Sequence, residues 1–458
     1  MAMQYTSTKD TRALKVLVAD DSPAIRGVFQ HFPAGELQVG GIVADRHALT
    51  RAMLQASTPF DAILCSDHLA GWFGGVVALN ELRASQLLPP ETAFVLLSGD
   101  RRRTSLLVCV DARPDSIVLK PFSQEVLLRR LVEAVHERKA LLELRRLARD
   151  EKWEQLVATA AALESHARYV HAVRRLKFEA LTAMGQGAAV LEQYRALAES
   201  APKAMVLLEG YAQHAFAQNA LDEAEKVIRH ILRIQPANLS AMDLLVAVYH
   251  AEGDPVSSQQ TLQQALLMSP HSVERNRLLG HYALLNGDTV TAHHAYLSAM
   301  KQQCESAGYR DDDVINAVRV LMLHGDSFRA ARVVAEARKA RYGSLVLEVL
   351  DHFTDTIRHR EYDSFTRTQR RVAEGVAMLD RAIMPCVGLA LMAATEACLM
   401  ACLPYRAREL SEVLLSDRVY LQLHPAQKCW AKKLHKWSRT VQNEDLPRGL
   451  HHYQRFMS

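Results

Sequence analysis

A chain of 458 residues is too long for one core and, at ~150 residues per domain, implies about three. Its hydrophobic share of 49% and charged share of 23% exclude a disordered or fibrous protein, and a net charge of +4 is too small to decide for or against a nucleic-acid partner. Seven cysteines without a CxxC pair exclude a disulfide framework and a zinc site, which suits a reducing cytoplasm, and the polar start MAMQYTSTKD has no apolar core for a secretory signal.

Residues 1–13 read as a tail. Five apolar runs then read as strands: KVLVA (15–19), VGGIVA (39–44), DAILCS (61–66), TAFVLLS (92–98) and SIVLK (116–120). Stretches with helical spacing, such as HALTRAMLQ, VVALNELRASQLL and SQEVLLRRLVEAV, separate them. That alternation predicts an α/β domain with a doubly wound, five-stranded parallel sheet covered on both faces. Sites in such sheets form at the carboxyl ends of the strands.

The chemistry-bearing residues fall at those ends. Asp20 and Asp21 follow the first strand, Asp67 the third, Ser98 closes the fourth and Lys120 the fifth. Adjacent carboxylates repel and seldom help a core, so a cation is expected between them and another ligand. Three carboxylates on one edge make an oxygen-only pocket of the kind Mg²⁺ prefers. A carboxylate beside that ion can attack phosphorus while the metal and a lysine neutralise the phosphoryl oxygens, and the Ser98 hydroxyl and Lys120 ammonium would hold the product.

The acidic pair in VADDS, the lone acid in CSDHLAGWFGG, the hydroxyl in VLLSG and the lysine in VLKPF occur in order, each at its strand end. With these four motifs, residues 14–136 resemble a bacterial response-regulator receiver domain. The resemblance implies Asp67 as phosphoacceptor and Asp20 and Asp21 as Mg²⁺ ligands or the groups just behind them. It further implies the Leu69 carbonyl completing the metal site, Ser98 as switch hydroxyl, and Lys120 as the phosphoryl-contacting lysine before a cis Pro121. The phosphoryl donor would be a sensor histidine kinase or a phosphotransfer protein. Two departures stand out: Ala70, Gly71, Trp72, Phe73 and Gly74 replace the family's usual Pro-Gly and acid, and Ile117 replaces the aromatic that commonly rotates on activation. Arg101, Arg102 and Arg103 oppose the dipole of the helix they start, and read as a solvated charge run rather than a contact for an acidic partner.

From Ser123 no Gly or Pro interrupts the chain through LLRRLVEAVHERKALLELRRLARDEKW, so no flexible linker is expected after the receiver-like part. Beyond it a period of 34 emerges. Pro202, Pro236 and Pro270 keep it, as do the turn positions Gly185, Asn219, Gly253 and Gly287. Nine residues after each turn comes Tyr194, Ile228, Leu262 or Tyr296, and small residues recur at Ala224, Ser258 and Ala292 and at Ala265 and Ala299. Period and columns resemble the tetratricopeptide repeat, with LLGHYALLNGDTVTAHHAYLSAM (278–300) the best copy. A copy around Gly325, Ala330 and Ala337 is shifted by an insertion of four, and CLPYRARELSEVLL (402–415) is a worn one. The expected organisation is repeats over 137–304 and further helical repeats with a less regular helical end over 305–458, five or six repeats in all, with no strand beyond 136.

The stretch 383–403 has the length of a membrane span, but Pro385, Glu396 and its many Ala, Cys and Met residues point to a helix buried in the array. His293 and His294 are adjacent, so they are expected on different faces, and Trp430 and Trp437, seven apart, on one docking face. No P-loop, GxSxG or HExxH is present, and no enzymatic output domain is expected.

The resulting expectation is a cytoplasmic two-component regulator that is not itself an enzyme. Phosphorylation of Asp67 would control a repeat module whose concave face holds an unidentified protein, with no nucleic-acid or membrane partner and with a homodimer allowed. The alternative is a scaffold with a receiver-like domain that is never phosphorylated and binds partners constitutively. A DNA-binding regulator lacks a helix-turn-helix after the receiver-like part, and a phosphatase would want an acid where Leu69 stands.

Overall fold

The computed structural model describes residues 13–30, 37–69, 74–164, 169–307, 310–340, 344–359, 363–380, 387–401 and 403–440. Ala70, Gly71, Trp72, Phe73, Pro385 and Cys386 lie outside them. The chain divides into two compact units, Met1–Leu244 and Leu245–Ser458.

The first unit opens with five strands, β1 (Leu14–Ala19), β2 (Leu37–Val43), β3 (Ala62–Ser66), β4 (Ala93–Ser98) and β5 (Ser116–Leu119). All pair in parallel in the order β2-β1-β3-β4-β5. The helices α1 (Pro23–Gln30), α2 (Arg46–Gln55), α3 (Gly74–Ala84), α4 (Arg103–Asp111) and α5 (Gln124–Arg149) alternate with them. The period of two in each strand splits the core in two. Leu17, Ile63, Cys65, Phe94 and Leu96 pack with Leu49 of α2, Leu79 and Leu82 of α3 and Cys109 of α4. Val16, Val18, Leu64, Val95 and Leu97 pack with Phe29 of α1 and Leu127 and Leu131 of α5. Central strands buried on both sides read as unbroken aliphatic runs for this reason.

Ser123 caps α5 by accepting the Val126 N–H, and the helix then runs unbroken for 26 residues. Its first half closes the sheet. Leu141, Leu144 and Leu147 of its second half form another core with Leu156 and Ala160 of α6 (Trp153–Leu163) and Val173 and Ala180 of α7 (Val170–Ala183). The rest of this unit is helical: α8 (Gly187–Ser200), α9 (Met205–Ala217), α10 (Leu221–Ile234) and the start of α11 (Leu239–Ala251).

The second unit carries α12 (Pro255–Met268), α13 (Val273–Leu285), α14 (Thr289–Ala307), α15 (Asp311–His324), α16 (Ser327–Ala340), α17 (Leu345–His359), α18 (Phe365–Asp380), α19 (Val387–Met400), α20 (Pro404–Leu414), α21 (Asp417–Tyr420) and α22 (Pro425–Thr440). Among the described residues no strand follows Leu119.

The period of 34 is a backbone requirement. Gly185, Asn219, Gly253, Gly287 and Gly325 all have φ between +59° and +89°, the left-handed region that Gly and Asn enter at least cost. Each ends one helix of a pair, and Pro202, Pro236 and Pro270 sit between pairs. The periodic positions are interior: Tyr194, Ile228, Leu262 and Tyr296 are at most 2% exposed, and Ala224, Ser258, Ala265, Ala292 and Ala299 are fully buried. At Gly280 an added Cβ would stand 2.6 Å from the Tyr296 ring, so the glycine makes room for that aromatic.

No helix among the described residues is long and apolar enough to cross a membrane. Glu396 lies buried in the second unit, where Arg319 donates to both its oxygens (2.9 and 2.6 Å) and the Trp430 indole N–H donates at 2.9 Å. Trp430 and Trp437 are both buried against this core. His293 and His294 do not point apart as their adjacency suggested: their rings stack, 5.0 Å between centroids and 13° between planes, beside His324 of α15.

Candidate functional site

The acids converge because the sheet ladder continues one residue past each strand. The Asp20 N–H donates to the Val43 carbonyl, the Asp67 N–H to the Leu97 carbonyl and the Lys120 N–H to the Ser98 carbonyl. Three side chains are thereby fixed on one edge by backbone geometry. Asp20, Asp67 and Ser98 are all buried, at 0%, 1% and 0% exposure.

Two hydrogen-bonded groups meet there. In one, the Lys120 ammonium lies 2.7 Å from Asp20 Oδ2 and donates to Ser66 Oγ at 3.1 Å, while Asp20 Oδ1 accepts the Ser22 N–H at 2.8 Å. In the other, Ser98 Oγ donates to Asp67 Oδ2 at 2.5 Å, and the His68 imidazole stands 4.0 Å from the same oxygen. Asp21 is exposed at the end of β1. The Lys120–Pro121 peptide bond is cis, as the resemblance implied. Beneath the site, burial first and the nearby Asp20 second push the Cys65 thiol well above its ordinary range, so it stays protonated.

The backbone of Ser66 and Leu69 lies against the start of α3. A Cβ at Gly75 would lie 2.0 Å from the Ser66 carbonyl oxygen, and one at Gly74 would lie 1.9 Å from that of Leu69. The Gly75 N–H donates to the Asp67 carbonyl at 3.1 Å, so the glycine pair fixes the backbone that carries the acid.

Among the described residues no three His, Cys, Asp or Glu side chains are gathered as a metal cage. The donor set suits Mg²⁺ all the same, since that ion is held through one or two carboxylates and keeps several waters. Asp20 and Asp67 are the buried carboxylates of this edge, with the Lys120 ammonium on the first and the His68 imidazole 4.0 Å from the second.

Sequence reasoning missed Ser66, which shares Lys120, and His68 beside the acid. It also missed Asp100, whose carboxylate is bonded by Arg102 and by Ser105 of α4 at 2.6 Å. Arg102 is therefore engaged with Asp100 rather than simply solvated. A strand-end lysine signals its acid partner only through spacing, so a serine next to the acid gave no cue of its own.

No family model and no curated protein matches this chain. Among solved structures, a protein in a study of pilF from Pseudomonas aeruginosa matches over 46% of this chain and 93% of its own, at 14% identity and a TM-score of 0.35. A tetratricopeptide repeat protein from Parabacteroides merdae matches over 57% and 98%, at 12% identity and a TM-score of 0.33. RcsB from Salmonella enterica serovar Typhimurium, bound to promoter rprA in the presence of a phosphomimetic, matches over 38% and 93%, at 15% identity and a TM-score of 0.23. Likenesses this distant decide nothing about the chain, whose reading rests on its own residues.

Proposed function

We propose that the chain is a phosphorylation-controlled regulator: a doubly wound receiver whose Asp67 accepts a phosphoryl group, joined to tetratricopeptide-like helix pairs that bind protein. The observation that carries this reading is Asp67 itself. It is a buried carboxylate at a strand's end, held by the Ser98 hydroxyl, on the edge that also carries the Asp20–Lys120 pair. Such groups contribute little to a core and are suited to meet an electrophile brought to that edge.

In the transfer, one Asp67 carboxylate oxygen forms a bond to phosphorus. The P–N bond of a phosphohistidine on a kinase or phosphotransfer protein breaks, its electron pair stays on the imidazole nitrogen, and that nitrogen takes a proton from solvent. Bound Mg²⁺ would lie at Asp20 and Asp67, with Asp21 and the Leu69 carbonyl alongside, and would neutralise charge on the phosphoryl oxygens. Lys120 and Ser98 supply the chain's own donors to those oxygens. Output is binding rather than chemistry, through the helix pairs. Buried free thiols at Cys65, Cys109 and Cys398 fit a reducing compartment such as the cytoplasm.

Acetyl phosphate with Mg²⁺ should add one acid-stable, base-labile phosphoryl group, absent from Asp67→Asn. If no phosphodonor labels the protein, the constitutive scaffold is the correct reading.

A further inference from the structure

The chain's excess positive charge is gathered on its last helices. Residues 403–440 carry eight Lys and Arg against three Asp and Glu, so with +4 for the whole chain the remainder stands at −1. Five of these cations lie on α22, at Lys428, Lys432, Lys433, Lys436 and Arg439, and α22 has no Asp or Glu of its own.

Lys433 serves the fold, since its ammonium donates to the Leu285 carbonyl at 2.7 Å. The other four fall at i, i+4, i+8 and i+11, which sets them in one row about 16 Å long. Lys432, Lys436 and Arg439 are exposed and Lys428 is half-buried, and none of the four is ion-paired among the described residues. Like charges at four-residue spacing cost a helix stability, and Lys428 in the first turn also opposes the helix dipole. The row is therefore not there for the helix. Its first two ammoniums are held together by one ring, that of Tyr420, at 5.5 and 5.8 Å from the centroid.

We propose that the row Lys428, Lys432, Lys436 and Arg439 docks an acidic helix of a partner protein, whose Asp or Glu side chains recur every third or fourth residue. The proposal rests on the protein-binding half of the reading above and not on Asp67. Other polyanions suit this face less. A lipid surface takes up a basic helix by its apolar side, and here that side, Trp430, Leu434 and Trp437, is already packed in the core. A nucleic-acid strand stacks its bases on aromatics set among the cations, and the two indoles are only 6% and 4% exposed. Carboxylates on a second helix need point charges in matching register, which ammoniums on a rigid helix supply.

Fluorescence anisotropy with the full chain at low salt tests this, using a labelled helical peptide of Ala and Gln that carries Glu at i, i+4, i+8 and i+11. The peptide should bind, and Lys432→Gln with Lys436→Gln should weaken it about tenfold, as the loss of two screened ion pairs gives. Salt raised to about 500 mM should remove the binding. Lys203→Gln with Lys226→Gln makes the same change in net charge on exposed residues of the first unit and should leave the affinity within about twofold. Labelled DNA and phosphatidylserine vesicles should each bind at least about tenfold more weakly than the peptide. No peptide binding, or equal weakening by the two double variants, would overturn the docking row. Tighter binding of DNA or of vesicles, lost in the Lys432 and Lys436 variant, would overturn the acidic helix as its partner. No phosphodonor is present, so failure here leaves the Asp67 reading standing, and failure to label Asp67 leaves the row standing.

Discussion

At the scale of single residues, the site depends on backbone as much as on acids. Asp67 can be held under Ser98 only because Gly75 lets α3 abut the Ser66 carbonyl, where a Cβ would stand at 2.0 Å. Backbone cannot yield as a flexible side chain does, so Gly75→Ala should cost ~1–3 kcal/mol and weaken phosphodonor labelling of Asp67 together. Thermal unfolding and labelling of one sample check both, and an unchanged variant would remove the glycine from the account. Asp67, Ser98 and Lys120 were legible from the sequence because strand ends are marked by where aliphatic runs stop. Asp100 was not, since its role comes from a loop that folds back on α4 and no periodicity announces that. Ser66 was hidden for a similar reason: it is the last residue of β3, and only the reach of Lys120 gives it a function.

At the scale of elements, the helix pairs were legible because their turns demand a left-handed residue. Gly253 has φ at +78° and open space where a Cβ would go, so Gly253→Ala should cost ~1 kcal/mol from backbone strain alone, and Gly253→Asn less. Denaturation followed by far-ultraviolet circular dichroism would rank the two, and the reverse order would contradict the turn assignment. What holds α22 was not legible, because it is a buried charge network between distant segments. Glu396→Ala leaves the Arg319 guanidinium buried without its carboxylate, and such losses cost ~3–5 kcal/mol. An intact, equally stable protein would show that the pair is not buried as described.

The connection before α22 also carries a pH dependence. Burial foremost, then His250 and Lys428, lower His424 to about 4, and its Nδ1 accepts the Ala426 N–H, a role that protonation ends. The fold therefore holds this imidazole neutral while the unfolded chain protonates it near 6.5, so its contribution is whole above that value and declines as pH falls toward 4. The midpoint of unfolding of the second unit should drop over this window, and His424→Gln should flatten the slope; His281, His250, Tyr282 and Lys428 are the groups facing it. At the scale of the whole molecule, α5 joins the sheet to the first helices as one rigid rod of 26 residues, which the unbroken run from Ser123 already indicated. The sheet and the helices α6 and α7 therefore share α5 with no linker between them. The deciding measurement is to treat the Mg²⁺-loaded full chain with acetyl phosphate, reduce with borohydride, which converts an acyl phosphate to an alcohol, and map the converted residue by peptide mass spectrometry. Conversion confined to Asp67 is the expected result; no conversion, or conversion at Asp20 or Asp21 instead, would contradict the account.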